Sequence, residues 1–200
     1  MVVDKQQKLG LRERKKIKTR AAIQRHALLL FRKQGYNTTT IEQIAEAAEI
    51  SASTFFRYFP TKEAVVIEDD FDPLLIQLFK QQPASLTPLQ AMHKSMVTGI
   101  SMIPKEAHSE LRERLELTRS VPELHAALLS QMANTMHLIA GLIADRIGAD
   151  PHDFQVLTMA GSIIGVMMAV QGYLVFNPDA DFAELVDQAM IHLEAGLPMK

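Results

Sequence analysis

The chain has 200 residues, 48% of them hydrophobic and 22% charged, enough to bury a sizeable core as one large domain or as a small domain joined to a larger one. It contains no cysteine, which excludes disulfides and thiolate metal sites and fits a reducing cytoplasm. The formal net charge of −2 hides a division: up to Val65 there are 13 Lys and Arg against 6 Asp and Glu, a net +7, and from Val66 onward 8 against 17, a net −9. A basic head on an acidic body implies that one end meets a polyanion while the other has a different task. No apolar run follows the first charges, so no secretory signal is expected.

The segment from Lys5 to Arg20 carries Lys5, Lys8, Arg12, Arg14, Lys15, Lys16, Lys18 and Arg20. It reads either as a solvated extension or as an arm that touches DNA phosphates or the minor groove. A first helix is predicted from near Leu11, with Ile17, Ala21, Leu28 and Phe31 on its buried face and Gly35 at its end. Two short helical patterns then follow within Thr38–Lys62. Thr40 caps the first, with Gln43 at the capping-box position, and Ile41, Ile44, Ala45 and Ala48 form its apolar face. Ser51 caps the second, Pro60 stops it, and Thr61 caps the next helix with Lys62 in its first turn. Two small helices about a tight turn form a helix-turn-helix, whose second helix can enter the DNA major groove. Phe55 and Phe59, four apart, face inward. Ser53, Thr54, Phe56, Arg57 and Tyr58 are left for phosphates, base edges and thymine methyls.

The pattern TTTIEQIAEAAEIS-x-STFFRYFPTKEAVV resembles the N-terminal domain of the TetR (tetracycline repressor) family of bacterial transcription regulators, over roughly Arg12 to Val66. The resemblance implies a phosphate contact for Thr40 and Lys62, approach to bases or phosphates by Ala52, Ser53 and Thr54, and packing of Phe56 or Tyr58 on the DNA backbone. With Ser51 at the cap and Arg57 on the exposed side, these make up the expected DNA-binding set. The family usually has glycine where this chain has Glu49. A non-glycine residue in a left-handed turn costs on the order of 1 kcal/mol.

The remaining chain reads as helices throughout: about Thr61–Gln81, Pro88–Met102, Ala107–Arg119, Pro122–Ile147, Pro151–Phe176 and Phe182–Ala195. Thr87-Pro88 with Gln90, Asp150-Pro151 with Asp153, and Asp181 with Glu184 mark three of the starts. Pro73 predicts a kink or break in the helix joining the two parts. From Phe154 to Pro178 no residue is charged, which raises a transmembrane question. Acidic residues flank the run and no basic anchor stands beside it, so a core helix is favoured and no membrane association is expected. At 100° per residue Gly161, Gly165, Ala169 and Gly172 share one narrow stripe. Val156, Met159, Ile163, Met167, Val170 and Leu174 form the opposite one. The small-residue stripe, with Leu185, Ala189 and Leu193 of the last helix, is the expected homodimer interface, although packing within one subunit would use the same glycines.

The C-terminal part is rich in methionine, which suits irregular cores and adaptable apolar binding surfaces. Met96, Ile100, Leu115, Arg119, Met132, Met136, Met159, Ile163 and Met167 are the candidate ligand-binding residues. Arg112, Arg114 and Arg119 could meet a ligand carboxylate or phosphate, or pair with Glu110, Glu113 or Glu116. The segments RERLELTRSVPELHAALL and ADRIGADPHDF are similar to the effector domain of actinobacterial TetR regulators related to the mycofactocin regulator. Some of those respond to long-chain acyl-CoA, which implies a small hydrophobic or amphipathic effector here. Seven histidines are scattered without helical ligand spacing, and there is no G-x-S-x-G elbow, phosphate loop or H-E-x-x-H. No catalytic residue, metal or cofactor is expected.

The expected fold is all-α with about nine helices: a three-helix helix-turn-helix DNA-binding domain with its basic arm over residues 1–62, and an effector-binding and dimerisation domain over 63–200. The expected function is a cytoplasmic, homodimeric regulator, a repressor that binds a palindromic operator and is released by a small effector. The alternatives are an all-α small-molecule-binding protein with a vestigial helix-turn-helix, and a membrane-associated helical protein using Phe154–Pro178.

Overall fold

Six helix starts along this chain are set by side chains that satisfy the orphan backbone N–H groups of a first turn. In the computed structural model, which describes residues 11–68, 71–103 and 107–199, every regular element among the described residues is a helix. Ten are present: α1 (Leu11–Gln34), α2 (Ile41–Ala47), α3 (Ala52–Tyr58), α4 (Lys62–Ile67), α5 (Phe71–Lys80), α6 (Pro88–Ser101), α7 (Ala107–Ser120), α8 (Pro122–Ile147), α9 (Phe154–Phe176) and α10 (Phe182–Glu194). Of the basic arm, Lys5 and Lys8, and the side chains of Arg12 and Arg14, lie outside the described residues.

Gly35, at φ 89°, ends α1 as expected, a backbone conformation that favours glycine. The buried face of α1 differs from expectation. Ile23, Ala27, Leu28 and Phe31 are buried, whereas Ile17 is 41% exposed and Ala21 is exposed as well. Around the helix Ile17 and Ala21 each fall about 20° from the buried Leu28, so what separates them is position along α1: both precede Ile23, where its buried residues begin.

One helix was expected over Thr61–Gln81, and two are found. Thr61 caps α4 by accepting from the Ala64 N–H, and the helix stops where Glu68 turns extended (φ −77°, ψ 137°). Pro73 lies in the first turn of α5, where its missing N–H would have no intrahelical partner anyway. The interruption therefore precedes the proline, and it accounts for ten helices rather than nine. The start of α9 also shifts. Asp153, not Asp150, is its cap, accepting from the Gln155 N–H, and Pro151 stays in the preceding turn. Thr87 with Gln90, and Asp181 with the N–H groups of Ala183 and Glu184, cap α6 and α10.

The chain divides into two compact units. One runs to Glu68 and includes Glu113–Leu128; the other comprises Asp69–Arg112 and Leu129–Lys200. The end of α7 and the beginning of α8 thus pack with the head, although in sequence they lie well beyond residue 62. The head's core holds Ile23, Phe31, Ile44, Phe55, Phe59, Val65 and, from α8, Leu124, with Leu117 and Val121 packed against it. In the second unit α5 packs on α6, and α10 on α6 and α9. Its core is built from Phe79, Met92, Met96, Ile143, Ile163, Val186, Met190 and their neighbours. By length and composition alone α8 and α9 could cross a membrane. One stripe of α9, with Val156, Ala160, Ile163, Val166 and Val170, is buried in this core.

Candidate nucleic-acid interface and effector region

The interface begins with the turn between α2 and α3. Thr40 and Gln43 form a full capping box: the Thr40 hydroxyl accepts from the Gln43 N–H (3.3 Å), and the Gln43 side chain accepts from the Thr40 N–H (3.0 Å). Gln34, at the end of α1, donates to the same Gln43 oxygen at 2.8 Å, which links α1 to the start of α2. The far end of α2 closes with Glu49 in the left-handed region, φ 55°. Its N–H donates to Glu46 O and the Ile50 N–H to Ala45 O, at 3.0 and 2.9 Å, the paired closure of a Schellman motif. The turn therefore keeps its left-handed shape without the glycine, at a cost of roughly 1 kcal/mol.

Ser51 starts α3, accepting from the Thr54 N–H at 3.1 Å. Its hydroxyl is also 2.9 Å from those of Ser53 and Thr54. Phe55 and Phe59 are fully buried and hold the helix by its inner side. Ser51, Ser53, Phe56 and Arg57 are exposed, and Ala52, Thr54 and Tyr58 are half-buried. Phe56 is 52% exposed, a large apolar surface that the head itself does not cover. The Arg57 guanidinium lies 5.5 Å from the centre of the Tyr58 ring. The structure thus brings Ser51, Ser53, Thr54, Phe56 and Arg57 onto one accessible region, with Thr40 capping the preceding helix.

Two cations assigned to DNA from the sequence have internal bonds. Lys62 donates to the carbonyls of Tyr36 (2.9 Å) and Thr39 (3.1 Å) and stands 4.0 Å from the centre of the Tyr36 ring. One of its three donors is left over for another acceptor. Arg20, counted with the basic arm, donates to Tyr58 O (3.1 Å) and to Glu68 (3.2 Å), and stacks 4.2 Å over Phe59. It therefore ties the end of α3 to the end of α4. Gln24 and Arg114 complete this anchor, donating to the carbonyls of Val65 and Glu68, and of Val66 and Glu68. Nothing in local sequence distinguishes Arg20 from its basic neighbours, because its acceptors lie 38 and 48 residues away.

The Tyr36 hydroxyl donates to Glu63 at 2.8 Å. Burial first, and then this bond to the carboxylate, push the tyrosine pKa far up. Burial alone would raise Glu63 too. Hydrogen bonds from its own N–H, Tyr36 and Thr61, with Lys62 nearby, outweigh that and hold it below the usual carboxylate range.

The candidate effector residues fall in both units. Met96, Ile100 and Ile163 are buried in the second unit's core, with Met136, Met159 and Met167 partly buried against it. Met132 is half-buried on α8. Leu115 and Arg119 fall in the unit that contains the head. Of the arginines weighed as ligand contacts, Arg114 holds carbonyls at the end of α4, while the side chain of Arg112, like that of Glu110, lies outside the described residues. Glu113 pairs with Arg32 of α1. In the second unit a cleft of about 340 Å³ is lined by Leu89, Phe154, Gln155, Thr158, Met159, Ser162 and Leu193. Of the dimer candidates, Gly165, Ala169 and Gly172 are exposed, Gly161 is half-exposed, and Leu185, Ala189 and Leu193 pack partly into the core.

A helical head that seats one short helix on two buried phenylalanines and turns its polar side to solvent defines the class: a helix-turn-helix DNA-binding regulator. Residues 23–68 match the family described as bacterial regulatory proteins, tetR family, and residues 86–198 match the MftR C-terminal domain. The chain belongs to the TetR family of bacterial transcription regulators and is a ligand-responsive DNA-binding regulator. It is 36% identical to the HTH-type transcriptional regulator TcmR of Streptomyces glaucescens, over 72% of this chain and 67% of that protein. It is 26% identical to MftR of Mycobacterium tuberculosis, named for the regulation of mycofactocin biosynthesis, over 86% and 87% of the two chains. Among solved structures it resembles Thermus thermophilus FadR, a TetR-family repressor in complex with lauroyl-CoA (TM-score 0.53, 25% identity, 90% and 96% covered). The SmeT–triclosan complex shares the fold (TM-score 0.58, 18% identity, 91% and 98% covered). The family and these relatives are transcriptional regulators rather than enzymes, and the family binds DNA operators as dimers and small-molecule effectors.

Proposed function

We propose that this regulator is a cytoplasmic homodimeric repressor, free of membrane association, that reads a palindromic operator with α3 of each subunit and leaves it when an amphipathic effector binds. The observation that carries the reading is the two-sided character of α3. Its buried side fixes the helix through Phe55 and Phe59, and its open side offers hydroxyls, an arginine and an aromatic ring. Ser53, Thr54 and Arg57 have the chemistry for base edges and phosphates, and Phe56 that for sugar and thymine methyl surface. Thr40 and the free donor of Lys62 would meet backbone phosphates, and Ala52 is small enough to let α3 approach the groove.

The effector reading rests on the methionine-rich body, on the match to the MftR C-terminal domain, and on the likeness to a repressor bound to lauroyl-CoA. Within the second unit, Met96, Ile100, Met132, Met136, Met159, Ile163 and Met167 would offer apolar surface to an acyl chain. Effector binding would change the spacing of the two heads, so that both recognition helices could no longer fit their half-sites together. The small-residue side of α9, with Leu185, Ala189 and Leu193 beside it, would form the subunit interface.

Selection from random duplexes at moderate salt tests the regulator reading. A palindrome is expected; no preferred sequence from folded, dimeric protein would favour a binding protein with a vestigial head. Lauroyl-CoA titrated onto the operator complex should release it where laurate and free coenzyme A do not. Equal indifference to all three would reject the acyl-CoA class.

A further inference from the structure

The exposed side of α9 has a symmetry of size. At 100° per residue Phe154, Thr158, Gly161, Gly165, Ala169, Gly172 and Phe176 all fall within one stripe. Phe154 and Phe176, at its two ends, are 82% and 84% exposed. A Cβ added at Gly165 or Gly172 would meet nothing within 4 Å. Gly165 stands eleven residues from Phe154 and eleven from Phe176; Gly161 and Ala169 lie four to either side of it, and Thr158 and Gly172 seven. From either end the stripe reads one large residue, five small ones and one large residue. No residue from Phe154 to Pro178 is charged, so covering the stripe desolvates no charge. Beside Phe154 lies the cleft of about 340 Å³, one side of it formed by stripe residues.

A surface that reads the same in both directions meets its own copy under a twofold axis with small residues on small and large on large. Antiparallel pairing about Gly165 would set Gly161 against the partner's Ala169, Thr158 against the partner's Gly172, and Phe154 against the partner's Phe176. Small side chains at the centre allow close approach of the helices. At a shallow crossing of about 20° the ends diverge by several ångströms, a gap that two phenylalanines can fill. We infer that the dimer pairs α9 with itself in this register, so that each subunit's Phe176 covers the cleft of the other beside Phe154. This rests on the dimer reading above and adds its register, the residue at the axis and a cleft completed by the second copy.

The absence of cysteine makes the test direct. In full-length protein, Gly165→Cys should form an intersubunit disulfide on oxidation, since the residue faces itself across the axis. Because a side chain there can push the helices apart, a second measurement is needed. Phe154→Cys and Phe176→Cys proteins, mixed until subunits exchange and treated with a short bis-maleimide, should cross-link in the mixture and in neither protein alone. Phe176→Ala should weaken dimerisation on the order of thirtyfold. Cross-linking of either single variant with itself, or none in a mixture that sedimentation shows to be dimeric, would overturn the register and leave the dimer standing. Monomeric wild-type protein at micromolar concentration would overturn both.

Discussion

The head and the body of this regulator are held together by different means. In the head, polar side chains meet backbone groups at successive helix ends: Thr40, Ser51 and Thr61 cap three helices in a row, and Arg20, Gln24, Lys62 and Arg114 close carbonyls at helix ends and turns. The body also caps α6, α9 and α10, but its core is aliphatic and methionine side chains, and its longer-range polar ties include Arg146 on the carbonyls of Gln82, Pro83 and Leu86, and His93 between Asp187 and Glu194. Directional bonds specify one arrangement, whereas apolar contacts of similar volume tolerate several. A surface that must match DNA benefits from the first, and a domain that must accommodate a ligand from the second.

Truncation of one anchor in each region sets the largest contrast. Phe55→Ala should cost about 3–5 kcal/mol in denaturant unfolding and abolish operator binding, because α3 loses its seat. Met167→Leu, half-buried in the body, should cost below about 1.5 kcal/mol and leave operator affinity intact while changing effector response. Comparable losses of operator affinity in the two variants would erase the distinction. Arg57→Ala should cost about 1–3 kcal/mol of operator binding, and the salt dependence separates its roles. A slope flatter by about one unit identifies a phosphate contact, relaxed preference at one position a base contact, and no change in either removes Arg57 from the interface.

Smaller effects test the head's caps and turn. Thr40→Ala removes the capping box and should lower stability by about 1 kcal/mol. Glu49→Gly should raise it by roughly the same amount, by relieving a side chain in the left-handed region. An unchanged melting temperature for Glu49→Gly would mean that Glu49 gains elsewhere what its backbone loses. A pH dependence is expected from Tyr36 and Glu63. Tyr36 keeps its proton in the folded state above about pH 10, where the unfolded chain releases it, so stability is full below that pH and declines above it. Glu63 is held low, so its contribution is full above about pH 4.3 and is lost as the pH falls through the folded value. Tyr36→Phe should flatten the alkaline limb; an unaltered limb would place its origin elsewhere.

Much of the head was legible because its signals are local. Thr40 with Gln43, Ser51 with Thr54, and Thr61 with Ala64 act within three residues, so spacing alone identified the caps. The four-residue separation of Phe55 and Phe59 likewise marked the inner side of α3, and the contrast of small and large residues along α9 marked the stripe of Val156, Ile163 and Val170 that faces the core. The misreadings involve packing at a distance. Ile17 and Ala21 share a stripe with Leu28, yet the buried length of α1 begins only at Ile23. Glu68, not Pro73, ends the helix after α3. Arg20 looks like any other cation of the basic arm until its partners on α3 and beside α4 are in view.

Residue order was therefore sufficient for the all-α class, the helix-turn-helix and the division into a basic head and an apolar body, because each follows from periodicity, capping and charge within a few residues. Only the folded chain decided which cations face solvent, that Glu113–Leu128 joins the head, and which effector candidates share a core. Those outcomes depend on contacts between residues dozens of positions apart, whose geometry no local pattern encodes.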